Sequence, residues 1–339
     1  MLENIAVSSS PHISKPLSTR TVMLDVIIAL VPAMIAAVIF FRLYAVTILL
    51  TCIVTAVITE LICNHIRKKP NSLGDLSAIL TAILLALSLP PAIPLWAVII
   101  GTAFAIAIGK MVFGGLGANV FNPAMVGRAF LTASFGMLMT TWTVPATINP
   151  EMPTITESVK STDIRTQATP LAKSKEALKG KINASVANNL IKDAFTGQIG
   201  GCLGETSTIA LLIGAAYLLI RKTITIHIPL AVLISAFIFA GVAYLINPDA
   251  YISPLTHLTT GGMLLCAFFI ATDPVTAPLT TKGMWIFGIG VGAIVMLIRI
   301  IGEYPEGIMY AILLMNAVTP LIDRLCRVIP VGGIPNAKS

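Results

Sequence analysis

The stretch LLALSLPPAIPLWAVIIG, residues 84–101, decides the fold class: an apolar helix ends in paired prolines and a tryptophan-led helix follows. A second stretch, FFIATDPVTAPLTTKGMWIFGIG at 268–290, has the same small-residue helix end, paired prolines and tryptophan-led next helix. Five predicted spans separate the two, an odd number, so they insert into a membrane in opposite orientations. This pattern is typical of an inverted-repeat transport fold, although two proline-terminated helices could also match by coincidence.

The composition indicates a membrane protein. The chain has 339 residues, of which 56% are hydrophobic and 11% charged, and its mean hydropathy is +0.91. A soluble protein of this size needs more charged residues on its surface than this chain has. Its surface must therefore face the lipid bilayer. The net charge of +7 comes from basic residues that lie between the apolar stretches. In that position they set the membrane topology and do not indicate nucleic-acid binding.

We predict an all-α polytopic membrane protein with about ten helical spans, arranged as two inverted repeats of five. The predicted spans are 21–41, 45–63, 76–90, 95–113, 125–142, 204–220, 224–246, 258–272, 285–302 and 306–325. The chain then divides into a cytoplasmic N-terminal segment (1–20), a first repeat (21–142), an external loop (143–203), a second repeat (204–325) and a cytoplasmic tail (326–339).

Basic residues in the short loops orient the chain. One set of loops has little more than Arg42. The other set contains Lys15, Arg20, Arg67, Lys68, Lys69, Lys110, Arg221, Lys222, Lys282, Arg324 and Arg327. Because Lys and Arg concentrate on the cytoplasmic side, we expect both termini to be cytoplasmic and the long 143–200 insertion to be external.

Two glycine-rich stretches, 109–130 and 197–208, stand where helices begin. Glycine lets backbone amides approach a ligand, and a helix N-terminus favours an anion, so both could hold a phosphate or a flavin edge. A re-entrant turn or close helix packing is the structural alternative. Neither stretch is a P-loop or a dinucleotide fingerprint. The candidate binding residues are Gly114, Gly115, Asn119, Gly200, Gly201, Gly204, Glu205 and Thr206.

Carboxylates within predicted spans are candidates for ion coupling. They are Asp25, Glu60, Asp75, Asp273, Glu303 and Asp323. A charge in lipid is costly, so such groups are functional or paired, unless they are solvated near an interface. Asp273 lies in a broken helix, ATDPVTAP, which fits ion coordination by freed carbonyls; helix capping is the alternative. We take Asp273, Asp75 and Asp323 as candidate ion-coupling residues.

Histidine and cysteine spacing predicts no metal site. The residues are His12, His65, His227 and His257, with Cys52, Cys63, Cys202, Cys266 and Cys326. No two histidines have ligand spacing and no cysteines form a C-x-x-C pair. We therefore expect the cysteines to be small buried hydrophobic side chains, and we assign no catalytic residue.

Five ordered blocks of sequence identify a family. They are SPHISKPLSTRTVMLDVIIALVPA (10–33), FGGLGANVFNPAMVGRAF (113–130), GGCLGETSTIALLIGAAYLL (200–219), ATDPVTAPLTTKG (271–283) and YPEGIMYAILLMNAVTPLIDR (304–324). Together they resemble the family of the D subunits of Rnf-type ion-translocating ferredoxin:NAD oxidoreductases. The B subunits of sodium-translocating NADH:quinone oxidoreductases belong to the same family. The resemblance runs from about residue 10 to residue 325.

The resemblance implies FMN bound covalently, through its phosphate, to a threonine hydroxyl. The acceptor site of the family reads Asp, two residues, Ser or Thr, any residue, Ala, Thr. Its positions here are Asp163, Thr166, Ala168 and the acceptor Thr169. Ile164 and Gln167 depart from the usual small residue and glycine. A flavin transferase must reach the hydroxyl, so we expect Thr169 to be exposed; an ordinary threonine-rich surface loop is the alternative.

The resemblance also implies a role in electron transfer within a translocase of the prokaryotic cytoplasmic (inner) membrane. Ferredoxin and NAD should bind other subunits (A, B, C, E and G), because this chain has no iron–sulfur or dinucleotide motif. A second, non-covalent flavin, riboflavin, is implied in the helical bundle, and the 113–127 stretch is a candidate place for it. Whether sodium or protons are moved stays open.

Two other functions compete with this interpretation. One is the quinone-reductase B subunit, which has a longer N-terminal extension, whereas this chain reaches STRTVMLDV within twenty residues. The other is a flavin-free solute channel or transporter of inverted-repeat fold.

Overall fold

A computed structural model describes residues 18–143, 145, 169–178, 195, 197, 200–205, 207–302, 304 and 306–326. The regular elements over this part of the chain are helices. In the first half they are α1 (Thr19–Phe41), α2 (Leu43–Ile66), a 3-10 turn (Leu73–Asp75), α3 (Ser77–Leu87), α4 (Leu95–Ile106) continuing as a π-helix (Ala107–Met111), α5 (Pro123–Ser134) and α6 (Gly136–Met139). Then follow α7 (Pro170–Leu178), α8 (Thr208–Ile220), α9 (His227–Ile246), α10 (Pro254–Thr259), α11 (Met263–Leu265) continuing as a π-helix (Cys266–Ile270), α12 (Thr281–Ile300) and α13 (Ile308–Leu325).

Five of the described helices, α1, α2, α9, α12 and α13, are long and apolar enough to cross a membrane. Ser77–Leu87, Leu95–Met111 and Thr208–Ile220 are apolar but shorter. Large apolar side chains stay exposed along the long helices, such as Ile39 at 60% and Leu50 at 57%. The chain is therefore a polytopic, all-helical membrane protein, and the count of ten spans stays a prediction.

Local sequence explains where the helices begin and end. The Ser18 hydroxyl accepts the Thr21 N–H at the start of α1, and the Asn122 side chain accepts two N–H groups ahead of Pro123 at the start of α5. Both are favoured N-terminal arrangements. Helix α3 ends at Leu87, because Pro90 and Pro91 follow and cannot donate to the preceding turn.

Three sequence predictions about the elements need correction. The span predicted at 258–272 is broken between α10 and α11, where Gly261 has φ +67°. The span predicted at 125–142 stops at Ser134, because Phe135 has φ −134°, outside the helical region. Lys110, counted as a cytoplasmic loop residue, lies in the π-helix after α4 and is only 2% exposed.

The helices pack closely where side chains are small. Gly214 of α8 faces α1 so closely that a Cβ atom would overlap the Ala29 carbonyl oxygen. Gly292 of α12 lies against α9, where a Cβ atom would meet the Val232 carbonyl oxygen at 2.5 Å. Such contacts are typical of helix pairs in membranes. At the centre lie α3 and the π-helix Cys266–Ile270, both almost entirely buried.

Candidate functional site

Thr169, the predicted flavin acceptor, stands immediately before α7. Its Oγ1 accepts the Ala172 N–H at 3.0 Å, and its carbonyl accepts the Lys173 N–H at 2.9 Å, so Thr169 caps the helix. The expected exposure of this residue is wrong, because only 8% of Thr169 is accessible. The cause is the packing of α7 through Leu171 and Ala177, which cluster with Ile252.

A cavity of about 250 Å³, here called the Thr169 cavity, opens beside this hydroxyl. It is lined by Trp142, Thr169, Pro170, Leu171, Gly200, Gly201, Glu205, Gly261 and Glu306. The structure thus brings Thr169 together with three candidates from the second glycine-rich stretch, namely Gly200, Gly201 and Glu205. Asp163, Thr166, Ala168 and Thr206 lie outside the described residues.

Gly204 has a structural position. Its N–H donates to the Leu87 carbonyl at 2.7 Å, and the Leu203 N–H donates to the Leu89 carbonyl at 3.0 Å. A Cβ atom on Gly204 would stand 2.6 Å from that of Leu87. The glycine-rich turn therefore supplies donors to the end of α3, where the helix has unpaired carbonyls.

Buried charges surround the Thr169 cavity. Arg128 of α5 forms a hydrogen-bonded ion pair with Glu306 and donates to Cys202 Sγ at 3.4 Å. Glu205 Oε1 accepts the Cys202 N–H at 2.7 Å, while Glu205 Oε2 is buried and finds no hydrogen-bond partner among the described residues. Arg299 donates to the His257 carbonyl at 2.7 Å. Two buried cations thus lie next to the residues that line the cavity, and that lining includes a carboxyl oxygen without a hydrogen-bond partner among the described residues.

The pKa values of Glu205 and Glu306 shift in opposite directions, although both are turn residues that precede helices. Glu205 is buried and Glu306 is half-buried. Burial, reinforced by the negative charge of Glu306, raises the pKa of Glu205 to about 8. Burial acts in the same direction on Glu306, but the Arg128 guanidinium outweighs it and lowers the pKa of Glu306 below its ordinary value. At neutral pH, Glu205 is therefore mostly protonated and Glu306 ionised.

Cys202, Glu205 and Glu306 place ligand-type atoms within 4.8 Å of one another. The positively charged Arg128 guanidinium already pairs with Glu306 and contacts the Cys202 sulfur. The group is thus charge-compensated by the protein itself, and the protonated Glu205 leaves it without a surplus negative charge. All five cysteines are free, and Cys52, Cys202 and Cys266 are buried, whereas the expected burial is incomplete for Cys63 and Cys326.

A second and larger cavity of about 600 Å³, here called the Asp273 cavity, lies at the other end of α3. Its polar lining comprises Ser77, Thr81, Lys110, Asn119, Asn122, Thr272 and Asp273. Two predicted site residues, Asn119 and Asp273, thus meet in one place. Asn119 Nδ2 donates to the Phe121 carbonyl at 3.2 Å, but its buried Oδ1 has no partner among the described residues.

Gly114 and Gly115 do not line either cavity. Both have positive φ, at 134° and 108°, so they form a bend that favours glycine. The Arg67 guanidinium donates to the Gly114 carbonyl at 3.3 Å and to the Met111 carbonyl at 2.8 Å. These contacts connect the bend with the end of α2, and the role of the two glycines in ligand approach stays a prediction.

The three candidate ion-coupling carboxylates are half-buried, and each makes its own hydrogen bonds. Asp273 accepts the Val275 N–H at 3.2 Å and the Thr276 hydroxyl at 3.0 Å, a local cap of the turn after the π-helix. Asp323 accepts the Leu279 N–H at 3.3 Å. Asp75 accepts the Ser77 hydroxyl at 2.6 Å. Capping thus accounts for contacts of all three, and only Asp273 lines a cavity.

Sequence reasoning missed the ion pairs Arg128–Glu306 and Lys110–Glu60. The available signal was a charged residue flanked by apolar ones within a helix, as in PAMVGRAFL and AIAIGKMV. Such a charge in a membrane protein faces the bundle and finds a partner. The pairing itself could not be read, because the partners are 178 and 50 residues apart.

Comparisons with known proteins extend over nearly the whole chain. The model of the NQR2, RnfD, RnfE family matches residues 6–332. The chain is 43% identical to the D subunit of the Na(+)-translocating ferredoxin:NAD(+) oxidoreductase complex of Acetobacterium woodii, over 96% of this chain and 94% of the relative. It is 41% identical to the D subunit of the proton-translocating ferredoxin:NAD(+) oxidoreductase complex of Clostridium ljungdahlii, over 96% of each chain.

A third relative, the D subunit of the ion-translocating oxidoreductase complex of Actinobacillus succinogenes, is 38% identical over 95% of this chain and 96% of its own length. The same five sequence blocks that carried the resemblance lie within the matched region. The chain therefore belongs to the NQR2, RnfD, RnfE family.

Proposed function

We propose that this chain is the membrane electron-transfer subunit of an ion-translocating ferredoxin:NAD oxidoreductase, and that it carries FMN on Thr169. The observation that supports the proposal best is the Thr169 cavity, where a buried threonine hydroxyl, a glycine-rich turn and an unsatisfied carboxyl oxygen meet. The names of the relatives at 43% and 41% identity support the same activity.

The residues around Thr169 fit a flavin phosphate. The hydroxyl stands at the N-terminus of a nine-residue helix, where the helix dipole favours an anion. Gly200 and Gly201 leave room for close approach, and the protonated Glu205 could donate its Oε2 hydroxyl to a carbonyl oxygen of a flavin ring. Asp163, Thr166 and Ala168 would complete the acceptor motif. When bound, FMN supplies one- or two-electron redox chemistry, while the protein supplies position and charge.

The Asp273 cavity is a suitable place for the second flavin, riboflavin. Its lining is largely apolar with a few polar groups, as is typical of cofactor sites. Asn119 Oδ1 is an unused acceptor within it. Helix α3 is about 16 Å long, at 1.5 Å per residue; it lines the Asp273 cavity, and its C-terminal end contacts the glycine-rich turn next to the Thr169 cavity. Two electron carriers at its ends would thus be close neighbours.

Helix packing supports ten spans in two inverted repeats. In the first half, α2 packs against α3 and α4, and α4 packs against α5. In the second half, α9 packs against α10 and α12, and α12 packs against α13. The first helices of the halves, α1 and α8, pack together, as do the last, α5 and α13. A pseudo-two-fold axis would pair the elements in this way.

The proposed environment is the prokaryotic inner membrane, with both termini cytoplasmic and the Thr169 loop external. The partners would be the other subunits (A, B, C, E and G) and a flavin transferase during maturation. Asp273, Asp75 and Asp323 are proposed to contribute to ion coupling. The relatives named as sodium- and proton-translocating differ by only two points of identity, 43% against 41%, so overall similarity does not select the ion.

The proposed activity is tested in inverted membrane vesicles from cells that lack this chain and from cells in which it is restored. We expect reduced ferredoxin to drive NAD reduction and cation uptake only when the chain is present. Immunoblots must show equal amounts of the other subunits in both preparations. Equal rates of NAD reduction and cation uptake without the chain would refute the proposal.

The proposed topology is tested by cysteine labelling in a Cys63→Ser/Cys326→Ser background. Glu176 of α7 and Lys69 after α2 are both exposed. We expect Glu176→Cys to react with an impermeant maleimide in intact spheroplasts, and Lys69→Cys to react only after the membrane is opened. The reverse pattern would overturn the orientation. Ser174 is unsuitable as a labelling site, because only 4% of it is accessible.

A further inference from the structure

An ion pair is buried between α2 and the π-helix after α4. Lys110 Nζ lies 2.8 Å from Glu60 Oε1, and the two side chains are 2% and 0% exposed. Removing two charges from water is costly, and a buried pair that persists in a membrane protein points to a functional role. Neither residue belongs to the Thr169 cavity or to the flavin acceptor motif.

Hydrogen bonds extend from this pair to the surface of the helical bundle. Lys110 Nζ also donates to Ser77 Oγ at 2.6 Å, and the Ser77 hydroxyl donates to Asp75 Oδ1 at 2.6 Å. The Ser72 hydroxyl donates to Glu60 Oε1. Because Asp75 is only half-buried, a continuous polar path connects the fully buried Glu60 with a carboxylate near solvent.

Glu60 retains an unused acceptor. Its Oε2 is buried and has no hydrogen-bond partner among the described residues. Leaving such an atom unsatisfied costs free energy, which a bound cation would recover. Lys110 at the same time lines the Asp273 cavity. An ammonium group has three donors, and Glu60 and Ser77 take two of them.

We infer that Glu60 is a cation acceptor whose occupancy is controlled by Lys110. While the Asp273 cavity carries no added negative charge, Lys110 neutralises Glu60 and keeps other cations away. When negative charge enters the cavity, Lys110 turns its ammonium group towards it, and a monovalent cation, H⁺ or Na⁺, binds Glu60 at Oε2 by way of Asp75. The inference rests on the proposed function, because it requires an electron-accepting group in that cavity.

The charges balance in this scheme. One electron, supplied by the proposed oxidoreductase activity, enters the cavity, and one cation enters the Glu60 site. No covalent bond changes if the cation is Na⁺; if it is H⁺, an O–H bond forms on Glu60. Asp75, Ser77 and Asp273 lie near Lys110 and carry no positive charge. Arg67 also contacts this segment, but its guanidinium donates to the Met111 and Gly114 carbonyls.

The first test uses Lys110→Met, which removes the competing ammonium group without any need for an electron. We expect the melting temperature of this variant to rise with NaCl concentration, compared with choline chloride at equal ionic strength, if the acceptor takes Na⁺. If it takes H⁺, the melting temperature should instead rise as the pH falls from 8 to 6. Lys282→Met, at an exposed lysine, is the matched control and should behave as wild type.

The double variant Glu60→Gln/Lys110→Met assigns the effect to Glu60. It should lose the part of the sodium or pH dependence by which Lys110→Met exceeds wild type, since Glu205, whose pKa is about 8, gives every variant a common pH dependence. An excess over wild type that persists in the double variant, or its absence in Lys110→Met itself, would overturn the inference. These melts do not require a flavin, so they remain informative if the Asp273 cavity proves to hold none.

The second test compares wild type with Glu60→Gln, whose amide oxygen can still accept hydrogen bonds from Ser72 and Lys110. It tests the role of Glu60 even if Lys110→Met does not fold. The measured quantity is the midpoint potential of the non-covalent flavin. In wild type we expect a shift of about 59 mV for each tenfold change in Na⁺ or H⁺ activity, for one electron and one cation. Glu60→Gln should abolish the shift. An unchanged shift would contradict a role for Glu60, whereas absence of the flavin would contradict the proposed occupant of the cavity.

Discussion

Replacing Thr169 by asparagine abolishes covalent flavin while leaving the helical bundle folded. Asparagine caps a helix as well as threonine does, so the hydrogen bond to the Ala172 N–H can be kept. It has no hydroxyl, and therefore cannot form a phosphoester. The measurement is in-gel flavin fluorescence after denaturation in SDS, on protein co-expressed with a flavin transferase. Thr169→Ala should also lose the fluorescence, and should in addition destabilise α7 by about 1 kcal/mol through loss of the cap.

Thr166→Ala is the control for this experiment, since it changes the acceptor motif but spares the proposed acceptor. It should reduce the fluorescence without removing it. The folded state of each variant is checked by size-exclusion chromatography in detergent. Fluorescence that persists in folded Thr169→Asn would exclude Thr169 as the attachment site.

Replacing Arg128 by methionine should cause a large loss of stability. Glu306 would remain buried, at 13% side-chain exposure, without the cation that keeps it ionised. Breaking one side of a buried pair typically costs about 3–5 kcal/mol. The expected result is a sharply lower melting temperature, or loss of folded protein from the membrane, measured in detergent at neutral pH.

Two controls separate this effect from a general loss of positive charge. Arg221 pairs with Asp25 at 3.2 Å but is 51% exposed, so Arg221→Met should cost only about 0–1 kcal/mol. The Tyr217 and Thr223 hydroxyls still contact Asp25 in that variant. The double variant Arg128→Met/Glu306→Leu removes both charges and should recover most of the stability. An Arg128→Met variant as stable as Arg221→Met would contradict the assignment.

The helical class, most helix positions and the family could be predicted from the sequence. The length of an apolar stretch and the prolines that end it are local signals. The break at Gly261 was missed, although the stretch TTGG at 259–262 interrupts the apolar run and paired glycines are a turn signal. The burial of Thr169 was missed for a different reason. The polar composition of 163–180 suggests exposure, but Leu171 and Ala177 occupy one face of α7 and bury it against Ile252.

The site was predictable to the extent that its residues are near one another in the chain. Gly200, Gly201 and Glu205 form one turn, and that turn does line the Thr169 cavity. Arg128 and Glu306 come from opposite halves of the protein, and Lys110 meets Glu60 only because two helices pack side by side. Pairings of this kind depend on helix rotation, which composition and periodicity do not determine.

The π-helix Ala107–Met111 makes the direction of the Lys110 side chain depend on chain length. A π-helical turn contains one residue more than the α-helical turn it replaces. Because the wide turn accommodates its additional residue, deleting one residue within it, such as Ile108, would restore α-helical geometry with the flanking helix faces still in register. The side chains of the turn itself would be redirected, so Lys110 would lose its direction towards Glu60 while every charged residue of the chain was still present. An indel scan would therefore reveal a sensitivity here that no substitution scan could detect.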